Sequence, residues 1–347
     1  MTGGRCVVKW LLLVVVSLAV GAASYLAVDY TRFLDRPVAL EDAQIYEVPA
    51  GASVRRVARE LSEAGLLEHP LYWEFYARVE ADSTNIRAGE YRLDPGLTPR
   101  SLLALFVSGR TVQYSLTIPE GWTFAQLMAA VRGHPHLVQT LDPEEDREIM
   151  ARLGRPGEHP EGWFYPDTYL FPRNTTDLQF LERAHRRMVG VLDAAWADRQ
   201  PDLPLETPYE ALILASIVEK ETGVPEERDL VAAVFTTRLK RGMRLQTDPT
   251  VIYGAQITDG RLRSRDLRTD GPYNTYTRTG LPPTPIALPG GDAIRAALNP
   301  ADTEVLFFVS RGDGSHQFST TYREHREAVI RYQLGGDASR YPGSARR

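Results

Sequence analysis

Apolar positions along this chain follow three patterns. The first is unbroken: no charged residue occurs from Trp10 to Val28, and Leu11, Leu12, Leu13, Val14, Val15 and Val16 stand in succession. At a rise of about 1.5 Å per residue, a helix over this stretch extends roughly 28 Å, enough to cross a hydrocarbon core. The second pattern recurs between residues 44 and 155. A short apolar run meets a turn, then a serine or threonine, then an amphipathic run. Val48-Pro49-Ala50-Gly51-Ala52-Ser53-Val54 leads into Val57 and Leu61; Leu93-Asp94-Pro95-Gly96-Leu97-Thr98-Pro99 leads into Leu102, Leu103 and Phe106; Ile118-Pro119-Glu120-Gly121-Trp122-Thr123-Phe124 leads into Leu127, Met128 and Val131. The spacing predicts strand-turn-helix modules in which glycine relaxes the turn and the hydroxyl residue caps the helix. Thr98 followed by Pro99 is a cap with proline at the first helical position, and Thr123 with Gln126 fits a capping box. The third pattern, Ala211 to Val218, is apolar nearly all round and predicts a buried helix.

Charge around the first run sets its expected orientation. Arg5 and Lys9 precede it and Asp29 follows it, so the amino terminus is expected in the cytoplasm and the body outside. The prediction is a single-pass anchor in the inner (plasma) membrane. The alternative is a cleaved signal peptide, for which Gly21-Ala22-Ala23 offers a site; its apolar core usually runs only about 7–15 residues. Either way the body is exported.

Composition narrows the chemistry. A formal net charge of −5, with no basic run interleaved with aromatics, gives no expectation of a nucleic-acid partner. The single cysteine, Cys6, excludes an internal disulfide and thiolate metal sites. The seven histidines, at 69, 134, 136, 159, 185, 316 and 325, form no ligand pair of metal-binding spacing, so neither a metal nor a cofactor is expected.

Two carboxylates stand where the buried helix stops. Glu219-Lys220-Glu221-Thr222-Gly223 follows Val218; Gly223 is expected as the left-handed residue past the helix, and Pro225 prevents continuation. A glutamate in the last turn meets the negative end of the helix dipole, and burial disfavours its charge further. A carboxyl group kept protonated near neutrality can protonate a glycosidic oxygen. Residues two apart on a helix do not share a face, so one of the two should serve, while the other reading makes both ordinary solvated glutamates. The aromatic run Glu161-Gly162-Trp163-Phe164-Tyr165-Pro166-Asp167-Thr168-Tyr169 is either a platform for sugar rings or core packing.

Two local sequences carry resemblances. Val48-x-x-Gly51-x-Ser53, with its helix, resembles LysM domains, which bind the N-acetylglucosamine backbone of peptidoglycan and chitin; the other reading is a structural module that holds the catalytic domain above the membrane. More extensively, Ala215-Ser216-Ile217-Val218-Glu219-Lys220-Glu221-Thr222 and Leu245-Gln246-Thr247-Asp248-Pro249-Thr250-Val251-Ile252-Tyr253-Gly254 resemble the endolytic murein transglycosylase family, MltG or YceG-like. So do Tyr273-Asn274-Thr275-Tyr276, Gly280-Leu281-Pro282-Pro283 and His316-x-Phe318. The resemblance makes Glu221 the catalytic residue, and Thr222 is similar to the serine of the Glu-Ser pair of other lytic transglycosylases. It implies cleavage between N-acetylmuramic acid and N-acetylglucosamine without water: Glu221 protonates the leaving oxygen, then acts as base while the muramic 6-hydroxyl attacks, leaving a 1,6-anhydro end. An internal nucleophile removes the need for the second carboxylate that most glycosidases use. Association with cell-wall synthases (penicillin-binding proteins), with strand elongation ended by the cut, is implied as well.

The remaining motifs are expected to line a cleft. Gln246, Asp248, Asn274, Thr222, Tyr273 and Tyr276 are the candidate substrate-binding residues, although Asp248-Pro249 and Gly271-Pro272 also suit plain turns. Leu281-Pro282-Pro283-Thr284-Pro285 is expected to be a rigid wall. A closing unit is predicted from a strand at Val305–Val309, a turn at Arg311–Gly314, a strand near Gln317 and Phe318, and a helix from Tyr322 to Leu334; in it His316 and His325 read as structural histidines. The expected fold class is α+β: cytoplasmic residues 1–9, transmembrane helix 10–28, linker 29–43, LysM-like region 44–155, catalytic domain 156–335 and flexible tail 336–347. Two further functions stay open. One is a hydrolytic muramidase with Asp248 or Asp167 activating water; the other is a tethered, non-catalytic peptidoglycan-binding scaffold for synthases.

Overall fold

The computed structural model describes residues 3–80, 85–142, 148–258 and 260–341. The fold is α+β, and the chain divides into two compact units, Met1–Tyr114 and Ser115–Arg347. In the first unit, helix α1 (Gly3–Asp35) exposes its apolar side chains from Trp10 to Val28. It is long and apolar enough to cross a membrane. The helix does not stop at Val28 as the sequence reading had it, so residues 29–35 of the expected linker are helical. Asp29 ends the hydrocarbon-compatible stretch without ending the backbone hydrogen bonding, and Phe33 and Leu34 are buried in the core of the first unit. There β1 (Gln44–Val48), α2 (Val54–Glu63), α3 (Pro70–Phe75), β2 (Gly89–Leu93) and α4 (Pro99–Ser108) follow in order. The strands pair antiparallel from Gln44 opposite Leu93 to Val48 opposite Gly89. Ser53 and Thr98 cap α2 and α4 as their positions predicted, accepting from Arg56 N and Ser101 N at 3.3 Å each. Trp73 is fully buried and its indole N–H is satisfied by Pro99 O at 2.8 Å.

The second unit contains β3 (Tyr114–Thr117), α5 (Phe124–Gly133), α6 (Ile149–Arg152), β4 (Thr168–Phe171), α7 (Asp177–Ala197), α8 (Pro208–Glu221), α9 (Arg228–Lys240), α10 (Asp248–Gly254), α11 (Gly291–Leu298), β5 (Phe307–Ser310), β6 (His316–Ser319) and α12 (Tyr322–Tyr332); its strands join as β3 with β4 and β5 with β6. The sequence placed a boundary near residue 155, whereas residues from 115 onward fold with this unit. Ile118 N bonds Asp167 O at 2.9 Å and Leu288 N bonds Trp122 O at 2.7 Å. A strand-turn-helix repeat reveals the kind of module, not which core receives it. At the carboxyl end Ala338–Arg340 forms a 3-10 turn; residues 342–347 of the expected flexible tail lie outside the described residues.

Helix α8 is the centre of this unit. Every residue from Ala211 to Val218 is buried, and α7, α9, α10 and α11 pack around it. Each buried Leu, Ile or Val contributes about 1.5–3 kcal/mol of hydrophobic stabilisation, so the position of this helix is strongly determined. The aromatic run is part of the same core rather than a sugar platform: Trp163, Phe164 and Tyr169 are buried, and Trp163 stacks on Tyr209 at 5.7 Å. Between them and the proline wall stands Gly162, with φ +87° and room for no Cβ, which would lie 2.6 Å from Pro285.

That close approach is testable. Gly157 has a similar φ of +83° but open space around it. Gly157→Ala should cost about 1–2 kcal/mol from the left-handed backbone alone, and Gly162→Ala about 1–3 kcal/mol more from overpacking. Urea midpoints of the two variants measure the difference; equal losses would mean that Pro285 yields freely.

Candidate active site

The local sequence builds the end of α8. Thr207 caps its start, accepting from Glu210 N at 3.2 Å, with Pro208 next. Its far end differs from the expectation in one respect: Gly223 is not left-handed. Thr222 itself leaves the helix, with φ −137° and ψ 133°, and its hydroxyl accepts from Val224 N at 3.0 Å. A β-branched residue suits extended backbone, and the side-chain bond replaces the glycine motif. The two glutamates diverge as helical geometry requires. Glu219 accepts from Gly290 N at 3.0 Å, whereas Glu221 accepts from the hydroxyl of Thr247, Oγ1 to Oε2, at 2.7 Å.

Thr247 is itself firmly held. It precedes α10, and its N–H donates to Thr275 Oγ1 at 3.1 Å, while Thr250 Oγ1 lies 2.9 Å from the same hydroxyl. Gln246 N bonds Thr275 O at 3.1 Å, and Gln246 stands at φ +51°. Desolvation by burial pushes the carboxyl of Glu221 above its ordinary range. The Thr247 bond favours the charged form and opposes this, the charge of Asp248 reinforces it, and His316 and Arg238 oppose it. Burial prevails, giving a carboxyl group biased toward its neutral form at the end of a buried helix.

The other candidates fall into two groups. Thr222, Gln246, Asp248 and Tyr276 accompany Glu221 and Thr247: Gln246 and Asp248 flank Thr247 in sequence and are exposed, and Tyr276 donates its phenolic hydrogen to Asp248 Oδ1. Tyr273 and Asn274 instead border a depression with Val251, Gly254 and Asp270. Asn274 is buried and its amide is spent internally. Nδ2 is shared among the carbonyls of Asp266, Leu267 and Thr269 at 3.1, 3.3 and 2.7 Å, and Oδ1 accepts from Tyr276 N at 2.9 Å. That side chain shapes the loop and has no donor left for a sugar. Tyr273 Oη lies 2.8 Å from Thr284 Oγ1, and Gly254 lacks the Cβ that would lie 2.5 Å from Tyr273 Cβ. Among the described residues no group of three or more His, Cys, Asp and Glu side chains could hold a metal ion.

Comparison with known proteins matches this arrangement of motifs. The YceG-like family pattern spans residues 46–331. The chain belongs to the YceG-like family. A relative from Bacillus subtilis (strain 168), named endolytic murein transglycosylase, is 30% identical over 302 residues, covering 82% of this chain and 83% of its own. A Streptococcus pneumoniae protein of the same name (serotype 2, strain D39) is 29% identical over 82% of this chain, which spans 57% of that longer protein. A crystal structure of a YceG-like protein from Listeria monocytogenes superposes with a TM-score of 0.52 at 30% identity, covering 83% of this chain and 99% of that one.

Three elements of this YceG-like site were not singled out from the sequence. Arg238 on α9 is 7% exposed; its Nε donates to Leu306 O at 2.8 Å and its Nη1 to Leu245 O, tying the segment before Thr247 to the closing unit. Glu227 holds His316, Oε2 to Nδ1, at 2.7 Å. Glu161 is 2% exposed, accepts from Phe124 N at 2.8 Å and Tyr253 Oη at 3.0 Å, and is pushed by burial up to about 7. Each joins positions far apart in the chain, and the only sequence signal was a charged residue next to apolar ones.

The raised pKa of Glu221 carries a stability prediction. The folded state keeps a proton that the unfolded chain releases, so stability falls as pH rises from the unfolded value through the folded one. Glu221→Gln removes that penalty. Its melting temperature should exceed that of the wild type, with the gap widening from pH 4 to pH 8; a gap independent of pH would mean that the carboxyl is not desolvated.

Proposed function

We propose that this chain is an endolytic lytic transglycosylase that cuts the bond from N-acetylmuramic acid to N-acetylglucosamine within peptidoglycan strands. The observation that carries the reading is the largely neutral Glu221, hydrogen-bonded to Thr247 at the end of a buried helix, in a chain whose relatives are named endolytic murein transglycosylases. Neutral Glu221 protonates the leaving oxygen. The 6-hydroxyl of the muramyl residue then attacks the anomeric carbon, and the proton it loses restores Glu221, leaving a 1,6-anhydro end. Thr222, Gln246, Asp248 and Tyr276 bind the sugars beside Glu221, and Tyr273 contributes from the adjoining depression. The α1 helix anchors the protein as a single pass with the amino terminus in the cytoplasm, and the β1-α2-α3-β2 region is a LysM-like glycan-binding module. Cutting nascent strands near the membrane places the enzyme beside cell-wall synthases, whose strand elongation it ends.

A hydrolytic muramidase would need a second carboxylate to activate water. Asp248 is the one whose charge bears on Glu221, whereas Asp167 pairs with Arg187 at 3.0 Å. Mass spectrometry of digested sacculi separates the two: anhydro ends support the transglycosylase, reducing muramic ends the hydrolase. A scaffold would leave cells indifferent to Glu221→Gln, whereas the enzyme reading predicts loss of internal cuts and of the cellular phenotype.

The groups around Glu221 also set a pH profile. Because the first step uses the neutral acid, the rate should fall as pH rises through its raised pKa. Thr247→Val removes a bond that favours the carboxylate, so the fall should move to higher pH; Asp248→Asn removes a repelling charge, so it should move to lower pH. Shifts of the opposite sign in rate measurements across pH would remove Glu221 from the role of acid.

A further inference from the structure

Glu227 and His316 form a carboxylate–imidazole pair that the one-glutamate chemistry leaves unused. Glu227 ends the 3-10 turn Pro225–Glu227, a short step along the chain from Glu221, and His316 opens β6. The carboxylate grips the histidine twice: Oε1 accepts from His316 N at 2.8 Å, and Oε2 lies 2.7 Å from Nδ1. The two side chains are only 14% and 12% exposed. Phe308 and Phe318 stand edge-on to the imidazole at 5.4 and 6.4 Å and fix its plane. With Nδ1–H committed to Glu227, a neutral ring offers Nε2 as a lone pair. That nitrogen has no hydrogen-bond partner among the described residues, and it is not sealed from solvent. His316 also lies within electrostatic range of Glu221. A ring fixed in tautomer and plane by a buried carboxylate, with its other nitrogen open beside a catalytic acid, is built to take a proton.

We propose that His316 accepts the proton of the attacking hydroxyl, with Glu227 as its positioning residue. The inference rests on the transglycosylase reading and deepens it by giving the second proton a route. The bond from the anomeric carbon to the leaving oxygen breaks with its electron pair going to that oxygen, which takes the proton of Glu221. A lone pair of the 6-oxygen forms the new bond to the anomeric carbon, and its hydrogen passes to His316 Nε2. The imidazolium, balanced by Glu227, then hands that proton to the Glu221 carboxylate. Both groups return to their starting forms and no water is consumed.

The test compares the detergent-solubilised full chain as wild type, Glu221→Gln, His316→Gln, His316→Ala and Glu227→Gln on uncrosslinked glycan strands, following kcat, KM, product ends and melting temperature. His316→Gln should lose about 10²–10⁴-fold in kcat with KM and melting temperature little changed, and Glu227→Gln about 10–100-fold. Added imidazole should restore at least about tenfold of the kcat lost in His316→Ala, which a packing role would not allow. If His316→Ala does not fold, the kcat of His316→Gln decides alone. A cutting wild type beside a His316→Gln of near-normal kcat, or a folded His316→Ala that imidazole does not rescue, overturns this proposal and leaves the transglycosylase reading standing. A wild type that makes no internal cuts overturns both.

Discussion

A carboxyl group that must alternate between neutral and charged forms needs surroundings in which neither form is prohibitive. Open water would hold Glu221 ionised, and a sealed core would never let it ionise. The end of α8 lies between these limits. The helix is buried through Val218 and emerges only at its last turn, so Glu221 is partly buried. One hydroxyl, that of Thr247, supports the charged form with a single bond of 2.7 Å. Much of the second unit serves to keep those two side chains in register.

The support is assembled from pieces that share few neighbours in sequence. Thr247 is fixed through Thr275, whose hydroxyl also meets Thr250. Thr275 in turn belongs to a loop closed by the amide of Asn274. Arg238 binds the carbonyls of Leu245 and Leu306, so α9, the segment before α10 and the start of β5 meet at one guanidinium. A buried cation bound only by carbonyls is costly to hold, and its charge opposes the desolvation of Glu221. Gly162 against Pro285 and Gly254 against Tyr273 are the two places where backbone must come close enough that no side chain fits.

The first unit solves a different problem with the same economy. An apolar helix leaving a membrane needs a firm attachment to whatever follows it. Here the helix continues past its first charge, and Phe33 and Leu34 enter a core with Trp73, Leu102 and Phe106. Asp35 is further held by Arg100 at 2.9 Å. The helix and the strand-helix region are therefore one body, not two joined by a flexible tether.

Local signals were legible in the amino-acid order because they act over three or four residues. The caps at Ser53, Thr98 and Thr123, the buried face of α8, the divergence of Glu219 from Glu221 and the apolar span all follow from periodicity and capping chemistry. So did the identity of the motif around Glu221, which a run of distinctive residues announces. What tertiary structure alone decided are the pairings across long separations. Thr247 with Glu221, Arg238 with two carbonyls, Glu227 with His316 and the inward turn of Asn274 arise where packing brings remote segments together, and periodicity says nothing of that. Even the end of α8 was decided there: glycine at 223 permitted a left-handed turn, but the hydroxyl of Thr222 offered Val224 a hydrogen bond and the backbone took the extended path instead.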